Sequence, residues 1–328
     1  MKAAVYSRYG GPEVVNVIEI AAPVPNVNEV LIKIRAVTVN RTDTGFRSAE
    51  YLISRLFSGL WRPTHRVLGC EFSGEVVTVG KNVRAYKVGD RIFGYDDRNF
   101  GAHAEYKVIS EKGPIALIPK GIDYIQAAAL TEGSHYALGN IRAANVKAGD
   151  TILVYGATGA IGSAAVQLLK HLGTFVVAVA NTKNLELVRS LGADEVIDYQ
   201  TQNFMKTAHR FDFVFDAAGK SSFGACKHLM KSRGIYISTE LGKRWENIWL
   251  ALTTPLRKGK KVLFPLPTID KHDMLYLQKL SEQGLFSPVI DRHYFLDEIV
   301  QAHRYVETGQ KTGNVIVTMR DSNPINNV

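Results

Sequence analysis

The length, composition and charge of the chain exclude several classes of protein. With 328 residues it exceeds what one hydrophobic core usually supports, which predicts two domains. Hydrophobic residues make up 46% and charged residues 22%, the balance of a globular protein rather than a disordered or fibrous one. The 40 Lys and Arg against 31 Asp and Glu give a net charge of +9. Because the basic residues are scattered, with one short run at 257–261, we do not expect a nucleic-acid partner.

Cysteine usage and hydropathy indicate the cellular setting. Cys70 and Cys226 cannot build a disulfide framework or a Cys-x-x-Cys metal site, which fits a reducing compartment. The chain begins with a β-like pattern rather than a charged and apolar leader. The apolar stretch at 248–252 is too short, and too closely flanked by charge, to cross a bilayer. We therefore predict a cytoplasmic protein without a membrane partner.

The first third of the chain has a short, alternating and turn-rich pattern. It predicts strands at 30–39, 75–79, 92–95 and 104–109, without long helices between them. Repeated strands at such spacing predict a closed or partly closed β domain. Segments 294–296 and 314–319 return to this pattern, so the β domain is predicted to be discontinuous.

From residue 124 the pattern changes to helices and buried strands. Residues 124–140 are rich in Ala with an apolar stripe and predict one helix. Beyond 147–150, apolar strands alternate with amphipathic helices, which predicts a doubly wound parallel sheet. The strand and helix pairs are 151–155 with 160–172, 175–179 with 185–191, 195–197 with 203–208 and 213–216 with 222–230, followed by strands 234–238 and 262–264 and a helix at 274–283.

A glycine-rich turn joins the first of these strands to its helix. The turn reads Gly156-Ala157-Thr158-Gly159-Ala160-Ile161-Gly162. Gly159 allows the backbone to approach a pyrophosphate, and Gly162 allows the helix to pack closely on the strand. The helix N-terminus offers N–H groups and a positive dipole end to the phosphates. This context predicts a dinucleotide site, although Ala157 replaces the first glycine of the usual motif. The alternative is a tight turn that merely prefers glycine.

The end of the second strand predicts which dinucleotide binds. An NAD site places Asp or Glu there to bind the ribose hydroxyls. Here the residues are Asn181, Thr182 and Lys183, with no acid and one cation. Asn and Thr can hydrogen-bond a 2′-phosphate, and Lys183 can neutralise part of its charge. We therefore predict NADPH, the alternative for Lys183 being a solvated side chain at a helix start.

Several longer motifs, taken together, resemble one known family. They are residues 164–168 after the glycine turn, Leu191-Gly192-Ala193-Asp194, Phe215-Asp216-Ala217-Ala218-Gly219 and Gly69-Cys70-Glu71-Phe72-Ser73-Gly74. The chain is similar to the medium-chain dehydrogenase/reductases, in the zinc-free quinone oxidoreductase branch that includes ζ-crystallin, from about residue 1 to residue 319.

The resemblance implies an α/β fold with two domains. Residues 1–124 and 288–328 would form a GroES-like β-barrel catalytic domain, and residues 125–287 a doubly wound Rossmann domain that binds the cofactor. It also implies an active-site cleft between these domains and a homodimer or homotetramer.

The same family contains zinc alcohol dehydrogenases, so each zinc position is compared. Their catalytic ligand positions are matched here by Asn40, Cys70 and Glu132. A catalytic zinc takes three protein ligands from Cys, His and carboxylate, and this set offers at most two. The four-cysteine structural zinc loop is absent, because no Cys lies between Cys70 and Cys226. We therefore predict no metal, with Cys70 a core residue and Glu132 a hydrogen-bonded one.

The predicted lack of zinc narrows the range of hydride acceptors. Without a Lewis acid, the alkoxide that develops in reduction of a simple ketone is not stabilised. A quinone or a conjugated enone spreads the charge onto an oxygen that ordinary donors can hold, so we expect these hydride acceptors. The resemblance implies that Asn40 lies near the nicotinamide and that Tyr136 contacts it. The alternatives are an Asn that stabilises a turn and an aromatic residue packed in a helix.

Further cofactor contacts are implied by the resemblance. It places Tyr199 at the 2′-phosphate and Leu241 and Phe264 beside the nicotinamide half. Asn314, with Lys311, would approach the cofactor from the returning β domain. A role in a turn is the alternative for both of these residues.

Several readings of function therefore stay open. An NADPH-dependent quinone or enone reductase is the leading hypothesis. The others are a zinc-independent reductase of another carbonyl or an enoyl thioester, and a non-catalytic nucleotide- or RNA-binding protein. The segment 244–256, which departs from the sheet pattern, is expected to cover the substrate cleft or to lie near a subunit contact. Its alternative is a surface helix with a tucked apolar face.

Overall fold

The computed structural model describes residues 1–49, 55 and 58–320, which group into two compact units. The first comprises Met1–Glu132, Ile269–Glu282 and the C-terminal segment from Val289. The second comprises Gly133–Thr268 and Gln283–Pro288. Residues 125–132 and 269–282, which the predicted boundaries assign to the Rossmann domain, therefore group with the first unit instead.

The strands and helices largely follow the predicted pattern. In chain order the strands are β1 (Lys2–Val5), β2 (Asn16–Glu19), β3 (Glu29–Val39), β4 (Glu71–Val79), β5 (Arg91–Tyr95), β6 (Tyr106–Ser110), β7 (Ile115–Leu117), β8 (Thr151–Tyr155), β9 (Phe175–Ala180), β10 (Glu195–Asp198), β11 (Phe211–Asp216), β12 (Met230–Ser238), β13 (Lys261–Leu263), β14 (Ile290–Phe295) and β15 (Asn314–Thr318). The α-helices are Arg41–Ser48, Tyr124–Ala128, Glu132–Ala143, Ala160–His171, Leu185–Ser190, Phe223–Cys226, Glu246–Thr253, Lys271–Glu282 and Ile299–Glu307.

The first unit is built on a seven-stranded sheet of order β14-β15-β3-β4-β5-β7, with β6 also paired to β3. Strand β3 is central because alternate residues, Val30, Ile32 and Ile34, are fully buried, as expected for a strand with one face on a core. Strand β15 pairs antiparallel with β3, so the end of the chain completes the sheet that its beginning starts. The predicted discontinuity of the β domain is confirmed.

The second unit is a six-stranded parallel sheet of order β10-β9-β8-β11-β12-β13. Counted from β8, this order is 3-2-1-4-5-6, the arrangement of a dinucleotide-binding Rossmann fold. Its central strands are buried on both faces, which explains their continuous apolar sequences. The predicted α/β fold class is confirmed.

Three predicted helices differ in the structure. Residues 124–140 form two helices, Tyr124–Ala128 and Glu132–Ala143, rather than one. The helix predicted at 203–208 is a short 3-10 turn, Phe204–Lys206, and the one predicted at 222–230 ends as an α-helix at Cys226. In the last case β12 begins already at Met230, and its pairing with β11 takes residues from the predicted helix.

The helices of the described residues are short compared with a bilayer. The longest contain 12 residues, whereas about 20 apolar residues are needed to span the hydrocarbon core. None of them has the length and apolarity of a membrane span.

Candidate active site

A buried carboxylate in the first unit accepts five hydrogen bonds from four other residues. Glu71, the first residue of β4, is 1% exposed. Its Oε1 accepts hydrogen bonds from the Thr131 N–H at 2.7 Å, the Glu132 N–H at 2.7 Å and the Thr131 hydroxyl at 2.9 Å. Its Oε2 accepts from Thr38 Oγ1 at 2.7 Å and Asn40 Nδ2 at 3.1 Å. Burial raises the pKa of Glu71, and these hydrogen bonds oppose the rise.

These contacts explain why the helix predicted at 124–140 is broken. The N–H groups of Thr131 and Glu132 lie in the break and at the start of the second helix, where no helical carbonyl can accept them. Glu71 accepts both of them. The break thus supplies donors to a buried acid, and it places Glu132 in the first turn of the helix Glu132–Ala143.

Glu132 is a second buried acid in the first unit. Its Oε1 accepts a hydrogen bond from the half-buried Thr42 hydroxyl at 2.5 Å. Its Oε2 is buried without a hydrogen-bond partner among the described residues. Burial and the neighbouring Glu71 charge raise the pKa of Glu132 to about 8. A carboxyl group with such a pKa holds a proton near neutral pH and can donate it.

Lys311 is a cation that interacts electrostatically with both Glu132 and Glu71. Burial lowers the pKa of Lys311 to about 8, and the charges of Glu132 and Glu71 oppose that shift. Its Nζ donates to the Gly313 carbonyl at 2.6 Å. We call Glu71, Glu132 and Lys311, with the donors Thr38, Asn40, Thr42 and Thr131, the acid network.

Asn40 and Asn314 both lie in the first unit as buried side chains with defined partners. Asn40 donates from Nδ2 to Thr38 and Glu71, and its N–H donates to Asp43 Oδ2 at the start of the helix Arg41–Ser48. These contacts agree with the alternative of an Asn that stabilises a turn. Asn314 donates from Nδ2 to the Val289 carbonyl at 3.0 Å, and its Oδ1 has no partner among the described residues. Their predicted roles near the nicotinamide stay predictions.

The glycine turn of the second unit has the geometry that its sequence predicts. Gly156 has a φ of +82°, and Gly159 is the N-cap of the helix Ala160–His171. A Cβ on Gly162 would lie 2.1 Å from the Gly156 carbonyl oxygen, so only glycine allows the helix to approach the strand. A Cβ on Gly159 would meet nothing closer than 3.9 Å. The space beside Gly159, at the N-terminus of a helix, is therefore open.

The ends of β9 and β10 bring together the residues predicted at the 2′-phosphate. The Tyr199 N–H donates to the Ala180 carbonyl at 3.0 Å, so Tyr199 lies beside Asn181. The Asn181 Oδ1 is buried without a partner among the described residues, and Lys183 is exposed. The exposed Thr182 donates from its hydroxyl to Asp198 Oδ2 at 2.6 Å, and its contact with the phosphate stays a prediction. That hydrogen bond lowers the pKa of Asp198.

A cavity at the carboxyl ends of β12 and β13 contains two of the residues predicted beside the nicotinamide. Its volume is about 170 Å³. Tyr136 and Phe264 both line it, with Asn140, Ser238 and Thr239. Leu241 follows β12, and its carbonyl accepts from the Asn247 N–H at 3.1 Å. Ligands of open parallel sheets bind at these strand ends.

Comparison with known proteins agrees with this architecture. Residues 26–120 match the family model of the alcohol dehydrogenase GroES-like domain, and residues 191–317 match the model described as zinc-binding dehydrogenase. The chain is 34% identical to 2-methylene-furan-3-one reductase of Solanum lycopersicum, over 97% of this chain and 79% of that one. It is also 34% identical, with the same coverage, to the chloroplastic NADPH-dependent alkenal/one oxidoreductase of Arabidopsis thaliana. The solved quinone oxidoreductase of Coxiella burnetii matches with a TM-score of 0.86 and 28% identity, over 98% of this chain and 99% of that one.

The chain belongs to the medium-chain dehydrogenase/reductase superfamily, in its quinone oxidoreductase branch. The predicted family and the prediction of an enzyme, an oxidoreductase, are confirmed. The family is nicotinamide-dependent.

Within this dehydrogenase/reductase, the sequence did not indicate the whole acid network. Glu132 was expected only to be hydrogen-bonded, and Thr42 was not singled out. No local pattern could have grouped Thr42, Glu71, Glu132 and Lys311, because they come from four separate segments. The one available signal was a carboxylate at a position where zinc-binding relatives have a ligand.

Both cysteines of the chain are buried. Burial raises the pKa of the Cys70 thiol well above its ordinary value, and the charges of Asp43 and Glu132 add to the rise. Burial also raises the pKa of Cys226. Both residues therefore stay thiols rather than thiolates at neutral pH.

Proposed function

We propose that this oxidoreductase transfers hydride from NADPH to a quinone or an α,β-unsaturated carbonyl compound, without zinc. When bound, NADPH supplies the hydride. The acceptor classes rest on the names of the relatives, which include an alkenal/one oxidoreductase and quinone oxidoreductases. They rest equally on the chemistry of acceptors that need no Lewis acid.

The observation that carries the proposal is the open space beside Gly159. It lies at the amino end of a helix, after the first strand of a 3-2-1-4-5-6 sheet. The first N–H groups of that helix have no partner within the helix, and its dipole favours an anion. A Cβ at Gly159 would meet nothing closer than 3.9 Å, so no side chain prevents a pyrophosphate from approaching the backbone here. Tyr136 and Phe264, which line the cavity at the ends of β12 and β13, would hold the nicotinamide half.

NADPH is preferred over NADH on the charges at the end of β9. Lys183 supplies an exposed cation that can pair with a 2′-phosphate. The unpartnered Oδ1 of Asn181 can accept a hydrogen bond from a ribose hydroxyl, a contact that both nucleotides allow. Asp198 is the nearby acid, and its carboxylate is already bonded to the Thr182 hydroxyl and the Gln200 N–H. Lys183 is the one cation among the three residues that follow β9, so it is the residue on which the preference depends.

The residues at the zinc positions do not fit a catalytic zinc. Asn40 has its Nδ2 hydrogens bonded to Thr38 and Glu71, so its amide serves as a donor rather than a ligand. Cys70 is a buried thiol whose raised pKa opposes the thiolate that zinc binds. Glu132 accepts from Thr42. No step of the proposed reaction is therefore assigned to a metal.

The acid network supplies the proton that follows the hydride. Hydride addition to the β-carbon of an enone moves the C=C pair between the α-carbon and the carbonyl carbon and the C=O pair onto oxygen, which gives an enolate. The Thr42 hydroxyl, which donates to Glu132 Oε1 in the resting protein, turns to donate its proton to that oxygen and accepts the proton of Glu132 in exchange. The enol formed in this way tautomerises to the saturated ketone, and Glu132 takes up a proton again before the next turnover. The charged or titratable groups around Glu132 are Glu71, Asp43 and Lys311, with Tyr95 as a hydrogen-bonding neighbour. The acids keep Glu132 protonated, and Lys311 limits the energetic cost of its carboxylate form.

Oligomeric state and cellular location stay predictions. A homodimer or homotetramer and a cytoplasmic location are expected from the sequence. The relatives of the chain include proteins whose names place them in chloroplasts.

The test is an acceptor screen that follows NADPH oxidation at 340 nm. The panel contains benzoquinones, naphthoquinones, alkenals, enones, a simple ketone and an enoyl thioester. Turnover of quinones or enones, with none of the simple ketone, is expected. Turnover of the thioester alone would mean that the acceptor is an enoyl thioester rather than a quinone or an enone. Tight NADPH binding without turnover, together with salt-sensitive retention of RNA, would favour the non-catalytic alternative.

A further inference from the structure

The second unit presents an exposed apolar stripe on the segment 243–261. Trp245, Trp249, Leu252 and Leu256 are spaced by four, three and four residues, and their exposed fractions are 43%, 65%, 62% and 86%. Trp249 and Leu252 lie three residues apart on the helix Glu246–Thr253 and share one of its faces, while Trp245 is the N-cap before this helix and Leu256 ends the 3-10 turn after it. We call these four residues the Trp–Leu stripe. Large apolar side chains clustered on a surface mark an interaction site more often than isolated ones do.

The stripe is held facing outward by the opposite side of its segment. Asn247 is buried, and its Nδ2 donates to the Glu240 carbonyl at 2.8 Å. At the other end, Thr254 Oγ1 accepts from the Val262 N–H at 2.8 Å and donates to the Leu250 carbonyl at 2.6 Å. Asn247 therefore holds the first turn of the helix to the segment after β12, Thr254 holds its end to β13, and Leu250 packs against the buried apolar cluster of the second unit. The alternative of a tucked apolar face does not describe these four side chains.

Basic residues flank the stripe on both sides. Lys243 and Arg244 precede it, and Arg257 and Lys258 follow it, all exposed. In the whole segment 243–261 there are six Lys and Arg residues and one acid, Glu246. A partner for this face must therefore accept apolar side chains and carry negative charge.

The basic residues beside the Trp–Leu stripe favour an anionic lipid surface over a second copy of the chain as its partner. In a twofold-symmetric contact between copies of the chain, the same patch meets itself, so Lys243, Arg244, Arg257 and Lys258 would approach their own counterparts. Like charges brought together across an interface are unfavourable. An anionic lipid surface instead neutralises these side chains, while Trp and Leu insert at the boundary of headgroups and acyl chains.

We propose that the Trp–Leu stripe and its basic flanks dock on an anionic membrane surface. The contact is peripheral and involves no span, so it differs from the sequence prediction of no membrane partner without requiring a transmembrane helix. Trp side chains suit this depth because one end of the ring is apolar and the other can hydrogen-bond. The strand to which the helix is fixed, β13, leads directly to Phe264 of the cavity and to the exposed Leu266. Hydrophobic acceptors dissolved in a bilayer would then lie close to the second unit.

The test is co-sedimentation of the full chain with vesicles of phosphatidylcholine, with and without 30% phosphatidylglycerol (a composition on the order of natural anionic membranes). We expect binding only to the anionic vesicles, and weaker binding at high salt. Arg257→Glu combined with Lys258→Glu should lower the partition coefficient at least about tenfold. Trp249→Ser combined with Leu252→Ser should also abolish binding. The matched controls are Trp61→Ser, a Trp of the first unit that is even more exposed than Trp249, and Lys81→Glu combined with Lys87→Glu.

Each result supports or overturns the proposal. Loss of binding in both stripe variants, with binding kept in both controls, supports it. The charge variant alters only exposed side chains, so it remains informative if the apolar variant melts early. No binding by the wild-type chain overturns the proposal, as does equal binding by all variants. Dissociation of a dimer by Trp249→Ser with Leu252→Ser, seen by sedimentation velocity, would assign the face to a contact between copies instead.

Discussion

The glycine turn of the second unit and the acid network of the first are built in opposite ways. The turn is made by consecutive residues, and its binding groups are backbone N–H groups at a helix end. The acid network is made by side chains from four separate segments, and at its centre are two buried carboxyl groups, Glu71 and Glu132. The first kind of site tolerates little change in backbone shape. The second depends on the balance among charges that have been removed from water.

This difference predicts different responses to substitution. Changes in the turn should affect cofactor binding with little influence of pH. Changes in the acid network should affect turnover, and their effects should depend strongly on pH.

The largest effect is expected for Glu132→Gln. The amide keeps the shape of the side chain and the contact with Thr42 but cannot supply a proton. We expect kcat for an enone to fall about a hundredfold, a typical contribution of general acid catalysis, with the Kd for NADPH unchanged. In the wild type, kcat should fall as pH rises through about 8, and this limb should be absent in the variant. A variant with wild-type kcat and the same pH profile would remove Glu132 from the reaction while leaving the proposed acceptors intact.

Comparing the stability of the wild type and Glu132→Gln tests the raised pKa of Glu132 independently of the reaction. The pKa of Glu132 is about 8 in the fold, above its ordinary value of 4.5, so its protonated form is favoured on folding. This contribution to the free energy of unfolding is complete below about pH 4.5 and is lost as pH rises through about 8. Urea unfolding of the wild type should therefore show a loss of stability over this window, relative to Glu132→Gln. Parallel pH curves for the two proteins would contradict the raised pKa.

The next effect is expected for Gly159→Ala. Its Cβ meets no protein atom closer than 3.9 Å, so the fold should be retained, but the methyl group fills the space assigned to the pyrophosphate. We expect the Kd for NADPH, measured by calorimetry, to rise roughly tenfold to a hundredfold, the equivalent of about one charge-assisted hydrogen bond. Gly224→Ala is the matched control, since a Cβ there also meets nothing closer than 3.9 Å. Equal affinities in the two variants would place the phosphates elsewhere.

A smaller and more selective effect is expected for Lys183→Ala. Removing this cation should raise the Kd for NADPH about tenfold and leave that for NADH unchanged, because NADH has no 2′-phosphate. Lys206→Ala, in another 3-10 turn of the second unit, is the control. Equal losses for both nucleotides would refute the assignment of the 2′-phosphate to Lys183.

No effect is expected from removing metal. Protein purified without chelators should contain no stoichiometric zinc by elemental analysis, and activity should survive dialysis against a chelator. Zinc at one equivalent per chain, with activity lost on chelation and restored by zinc, would overturn the metal-free reaction.

The fold and the turn could be predicted because their signals are local. Apolar strands alternating with amphipathic helices specify a parallel sheet. At Gly162 only glycine fits, because the helix packs there directly against the backbone of the preceding turn. The acid network could not be predicted, because burial and hydrogen bonding of Glu71 and Glu132 arise only when β3, β4 and the broken helix come together. The same tertiary contact explains the helix break at 129–131. Propensity favours one continuous helix there, but Glu71 stabilises the N–H groups that the break exposes.

Thr182 illustrates a similar limit at the cofactor site. Its position after β9 predicts a phosphate contact, and the structure adds a hydrogen bond from its hydroxyl to Asp198, at the end of the neighbouring β10. A pairing between adjacent strand ends is not visible in either segment alone.

The burial of Cys70 and Cys226 has a consequence for a protein that handles electrophiles. Quinones and enones add readily to thiolates, so a reducing enzyme for such compounds risks alkylation by its own substrates. Here both thiols are shielded from solvent and held in the unreactive protonated form. The chain should therefore keep its activity through prolonged exposure to acceptors that inactivate enzymes with accessible cysteines.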